Sequence, residues 1–130
     1  MTPTTHLRVA RPTDNLAALI TFYRDGLGFD ILGQFTGHDG FDGVMLGHHG
    51  AAYHLEFTQA EAHTAGRAPS QDHLLVFYLP EESAWHAAIT RLEQAGHQPV
   101  KASNPYWDKN GRTFEDPDGY PVVLQHASWP

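Results

Sequence analysis

The sequence predicts an α+β fold made of two tandem βαβββ modules. Three observations point there. Residues 114–125 run strand, tight turn, strand, and residues 46–57 do the same earlier in the chain. Each half also holds one helix-length stretch with apolar residues at helical spacing. Short sequences recur between the halves: His6-Leu7-Arg8-Val9 matches His73-Leu74-Leu75-Val76, Gly28 matches Gly96, and Gly50 matches Gly119.

The elements follow in order. Residues 6–10 read as a strand, ended by Arg11-Pro12 because proline cannot donate to a ladder. Thr13 or Asp14 then caps a helix, whose apolar positions are Leu16, Leu19, Ile20, Tyr23 and Leu27. Gly26 and Gly28 stop it. Residues 29–35 form the next strand. Residues 36–43 are a glycine-rich connection, with Asp39 and Asp42 as turn formers. Strands at 44–46 and 53–58 complete the first module. In the latter, Tyr53, Leu55 and Phe57 alternate with His54, Glu56 and Thr58, so one face is apolar and the other titratable.

The second module repeats this order. Residues 73–79 read as a strand. Pro80 opens a helix through residue 94, with Trp85, Ala88, Ile89 and Leu92 as its buried stripe. Residues 98–101 make a short strand, and 104–112 an aromatic and polar loop. The closing hairpin turns on Asp116-Pro117-Asp118-Gly119, where proline presets φ and glycine accepts a positive φ. The modules are expected at 1–62 and 73–130, with residues 63–72 as linker. Halves of about 65 residues are too short to bury both sheet faces alone. They are expected to pair into a cupped mixed β-sheet with the helices outside. The sheet edges this leaves predict a homodimer.

Composition narrows the function. The chain has 130 residues, with 15 acidic against 8 basic side chains and a net charge of −7. Phosphate recognition wants clustered lysine and arginine, so a nucleic-acid surface is not expected. No apolar run approaches the ~20 residues of a membrane span. Cysteine is absent, which removes disulfides and thiolate metal sites. The first residues carry no apolar signal segment, and a cytoplasmic location is expected. Most of the ten histidines lie in polar or turn-like contexts and read as solvated.

Three signals in order resemble the vicinal oxygen chelate superfamily, which includes glyoxalase I, bleomycin-resistance proteins and extradiol dioxygenases. They are the duplicated βαβββ order, Phe22-Tyr23-Arg24-Asp25-Gly26-Leu27-Gly28-Phe29, and Asp116-Pro117-Asp118-Gly119-Tyr120. Finer features are similar to a little-characterised glyoxalase-like branch: His38-Asp39-Gly40-Phe41-Asp42-Gly43, Tyr53-His54-Leu55-Glu56-Phe57-Thr58 and Asn104-Pro105-Tyr106-Trp107-Asp108. The resemblance covers nearly the whole chain. It implies a small-molecule cavity, and in metal-using members four ligands from four strands. Carried over, two ligand positions fall on Glu56 and His73. The other two fall on Thr4, a poor ligand, and Val123, which cannot bind metal.

Two functional readings stay open from the residues. One is a bleomycin-resistance-like protein that binds a small organic molecule and has an incomplete metal site. The other is an enzyme, a lyase, isomerase or dioxygenase dependent on a divalent ion (Zn, Ni, Mn or Fe) held by Glu56 and His73. Without metal, Glu56 and His73 are candidates for an acid–base pair. An enclosed Glu56 needs a partner, since an unpaired carboxylate is costly to bury. The ligand-binding candidates are His6, Arg8, His54, Tyr106, Trp107 and Gln125. Arg8 offers a bidentate fork for an anion or for Glu56. Tyr106 and Trp107 offer a stacking wall.

Overall fold

Period-two alternation sorts the first unit into two faces. In the computed structural model, which describes residues 1–129, β1 (Leu7–Pro12), β2 (Asp30–His38), β3 (Phe41–Gly47) and β4 (Tyr53–Ala60) form a sheet in the order β1-β4-β3-β2. β1 runs parallel to β4, and the other pairings are antiparallel. Leu55 and Phe57 are buried on one face together with Val44 and Leu46 of β3. His54 and Glu56 point to the opposite face.

The buried face is covered by α1 (Leu16–Ile20) and the π-helical turn that follows it, Thr21–Gly26. Leu19, Phe22 and Tyr23 are fully buried, at the i, i+3, i+4 spacing of an apolar stripe. Tyr23 lies 4.9 Å from Phe57, centroid to centroid. The cap of α1 is Asn15, not Thr13 or Asp14: the Asn15 side chain accepts from the Ala18 N–H at 3.1 Å. Thr13 instead accepts from the Asn15 N–H. Asp14 accepts from the Ala65 and Gly66 N–H groups at 2.7 and 2.9 Å. Those two bonds favour the charged form and hold its carboxyl below the ordinary range.

The second unit repeats the plan with one strand reduced. β5 (Leu75–Tyr78), β6 (Gly111–Glu115) and β7 (Pro121–Gln125) form a sheet in the order β5-β7-β6, with β5 parallel and β6 antiparallel to β7. The strand expected at 98–101 shrinks to one bridge, Val100 to Thr113. Pro99 removes a ladder donor beside it, which limits pairing there. α2 (Glu82–Gln94) buries Trp85 and Leu92, while Ala88 and Ile89 are only half-buried. The Trp85 indole N–H donates to the Leu124 carbonyl at 2.8 Å, which ties α2 to β7. Pro80 precedes the helix rather than opening it. β5 begins at Leu75, so His73 stands exposed ahead of the strand instead of at its start.

The two hairpins agree in detail. Gly50 and Gly119 adopt φ of 87° and 89°, the left-handed region that side chains resist. In the second hairpin the Asp116 carboxylate sits inside the turn and accepts from the N–H groups of Asp118 (2.9 Å) and Tyr120 (3.0 Å). Asp116 is 3% exposed. The Asp118 amide is buried and the Tyr120 amide half-buried, so the carboxylate is the partner the turn supplies. Replacing Asp116 with alanine should therefore cost about 1–3 kcal/mol, the usual penalty for stranding buried polar groups. Urea denaturation of Asp116→Ala against the parent protein checks this, and an unchanged midpoint would show that the turn holds without its carboxylate.

Candidate functional site

The face of the first sheet turned away from α1 carries a continuous polar cluster. Arg8 on β1 lies directly opposite His54 on β4. The Arg8 Nε–H donates to His54 Nε2 at 2.8 Å, and Arg8 Nη1 lies 3.3 Å from a Glu56 carboxylate oxygen. His6 Nε2 and His54 Nδ1 are 2.6 Å apart. Strand geometry explains the grouping: parallel neighbours in register bring the two strands' same-face residues together.

The bonds define proton positions. His54 Nε2 accepts from arginine, so it carries a lone pair. His54 Nδ1 then holds the proton and donates to His6 Nε2. Burial first, then the Arg8 charge, push the His54 pKa down, and Glu56 opposes them in part. Glu56 has its partner in Arg8, with side-chain exposures of 15% and 47% respectively. An ion pair this open contributes about 0–1 kcal/mol. Its role is to orient side chains.

Of the ligand positions implied by the resemblance, Thr4 and Glu56 lie in the first unit and His73 and Val123 in the second. Thr4 lies exposed before β1 and meets Thr2. Val123 is fully buried and apolar. Glu56 is engaged by Arg8, and His73 is exposed outside its strand. Among the described residues, no three His, Asp or Glu side chains come together in a way that holds a metal ion. A catalytic zinc site generally keeps three protein ligands, and the donor set does not fit one.

The second unit holds a cavity of about 250 Å³. Its apolar lining is Leu74, Val100, Ala102, Trp107 and Pro121, and its polar lining includes Asp72, Lys101, Asn104 and Thr113. Trp107 belongs to α3 (Tyr106–Lys109), a single turn inside the stretch expected to be loop. Asn104 Oδ1 accepts from the Tyr106 N–H, and Asp108 Oδ1 from the Ala102 N–H, which fix that turn against the preceding chain. Tyr106 packs edge-on against Trp107 at 4.9 Å but is itself 57% exposed. Trp107 reaches the cavity and Tyr106 backs it.

Gln125 is buried, and its Oε1 has no hydrogen-bond partner among the described residues. It folds over Gly111, where a Cβ would come within 2.6 Å of that oxygen and 2.5 Å of the Trp107 carbonyl. Sequence reasoning missed Thr113, whose Oγ1 is also buried without a partner. The signal was available: Thr113 sits beside Phe114, so alternation puts it on the face opposite the α2 contacts. It also missed Lys101 and Asp72, where flanking polarity hid a cavity wall.

The histidine cluster sets a pH expectation. A His whose folded pKa lies below its unfolded value binds fewer protons when folded, so it destabilises the fold as pH falls through about 6.5. Two-dimensional NMR of the ring protons should show His54 titrating below that value. Arg8→Ala should move the midpoint upward, and an unmoved midpoint would dissolve the cluster as described.

Comparison with known proteins agrees with the fold. Residues 7–58 match the family described as the YycE-like N-terminal domain, and residues 72–126 the YycE-like C-terminal domain. The chain is 45% identical over 121 residues to the uncharacterised protein YycE of Bacillus subtilis strain 168, which covers 93% of this chain and 87% of the relative. The crystal structure of a YycE protein of unknown function from Bacillus subtilis superposes with a TM-score of 0.90 at 42% identity, covering 98% of this chain and 93% of that one. TnmS3, an antibiotic binding protein from Streptomyces sp. CB03234, shares the fold at a TM-score of 0.64 and 22% identity, over 96% and 98% of the two chains. The family matches and the shared tandem βαβββ plan together place this chain in the YycE-like family of the vicinal oxygen chelate superfamily.

Proposed function

We propose that the protein binds a small organic molecule in the cavity of its second unit and does so without a resident metal ion. The observation that carries this is the cavity itself, lined by the Trp107 indole, by Leu74, Val100, Ala102 and Pro121, and by polar groups that include Asp72, Lys101 and Thr113. Small-molecule sites are concave and combine apolar and aromatic side chains with polar groups that fix orientation. The structural likeness to an antibiotic binding protein supports the same class of function. The metal-dependent alternative needs about three protein ligands, and no such group of His, Asp or Glu occurs among the described residues. His6, Arg8, His54 and Glu56 form a polar surface of the first unit, bonded mainly to one another. Trp107 stacks on the ligand.

Titration with bleomycin and with single-ring aromatic fragments, followed by ¹H–¹⁵N NMR, tests the proposal. Amide shifts should concentrate at residues 100–104, 107 and 113. Trp107→Ala should weaken the best fragment roughly tenfold, as loss of an aromatic contact does. Shifts centred elsewhere, or an affinity indifferent to Trp107, would refute it.

A further inference from the structure

We propose that the cavity of the second unit selects a neutral, one-ring ligand whose buried end brings an O–H or N–H donor; this rests on the binding function above. Two observations lead there. The first is a pair of oxygens. Thr113 is 2% exposed, lines the cavity, and its Oγ1 has no hydrogen-bond partner among the described residues. Gln125 is 4% exposed, and its Oε1 is likewise unpartnered. In the β6–β7 register Gly111 faces Gln125 and Thr113 faces Val123, so all four share one face of the sheet. Burying an oxygen with no donor is unfavourable, so natural interiors rarely keep one.

Gly111 shows that the space is made to fit. With any side chain there, Gln125 Oε1 would be displaced, because a Cβ would approach it to 2.6 Å. The glycine keeps the amide oxygen packed beside the Trp107 carbonyl. Of the two residues, Thr113 is the one that lines the cavity. Its hydroxyl both donates and accepts; only a ligand O–H or N–H fills its acceptor side, which an ether or a bare ring leaves empty.

The second observation is charge and size. Asp72 and Lys101 both line the cavity with opposite formal charges, which gives no net preference for an ion. The volume of about 250 Å³ lies just under the ~300–1,000 Å³ of drug-sized pockets. That room suits a single ring against Trp107, with its polar group toward Thr113.

Four probes test the selection by isothermal titration: 4-methylphenol, 4-methylanisole, toluene and benzoate. The donor-bearing phenol should bind about three- to tenfold tighter than the anisole or toluene, the range one neutral hydrogen bond gives. Thr113→Val, nearly the same shape, should remove that margin, and Thr113→Ser should restore it. Circular dichroism confirms that each variant is folded. An equal margin in the parent and Thr113→Val would overturn the inference while leaving the cavity as a binding site. Tighter binding of benzoate would also overturn it. If none of the four binds, and bleomycin also produces no shifts at the cavity, the binding function itself fails.

Discussion

Each unit depends on the parallel pairing of its first strand with its last: β1 with β4, and β5 with β7. A parallel pair cannot be joined by a tight turn and needs a crossover on one face of the sheet. Here the crossover is helical, and it claims the face that holds Leu55 and Phe57 in one unit and Phe114, Val122 and Leu124 in the other. Within the first unit no helix covers the opposite face, and in the second only the single turn α3 lies against β6 there. Everything with chemical interest stands on that second face, including the His54 cluster of the first unit and the Thr113–Gln125 pair of the second.

The consequence differs between units because the outer strands differ. In the first, β2 is nine residues long and pairs along β3, with Phe35 packed over Gly43. Polar side chains on the open face find each other across β1 and β4. In the second, the equivalent strand is nearly lost, and the chain from Val100 to Asn104 swings out to wall a cavity. One plan thus yields a self-satisfied polar surface in one half and an unsatisfied hollow in the other. No helix among the described residues is long and apolar enough to cross a membrane.

Most of the architecture was legible in advance, since strand alternation and glycine-marked turns are local signals. Asp116-Pro117-Asp118-Gly119 announced its hairpin, and Tyr53 to Thr58 announced which residues face together. Asp42, read as a turn former, accepts from the Gly37 N–H at 2.8 Å. Helix ends were less legible: Thr13, Asp14 and Asn15 are all competent caps, and tertiary bonds from Thr13 and Asp14 decided for Asn15. Phe22 was passed over in the helical stripe although it is fully buried. The site was least legible. Whether Arg8 meets Glu56 or an outside anion depends on register across distant strands, which no local pattern encodes. His73 resembled a strand residue by matching His6, yet both histidines precede their strands. Thr113 looks like any strand threonine until the cavity beside it is seen.

Residues 98–102 join the rest of their sheet through a single bridge, while β5, β6 and β7 are laddered along their lengths. Backbone protection is therefore uneven around the hollow. Local opening draws on the segments with the fewest internal hydrogen bonds, and here that segment is one flank of the cavity. Under the proposed binding function, a guest would enter or leave by disturbing this strip, with the laddered strands and the Trp85 tie left intact. Exchange of occupants would in this way be separated from global unfolding.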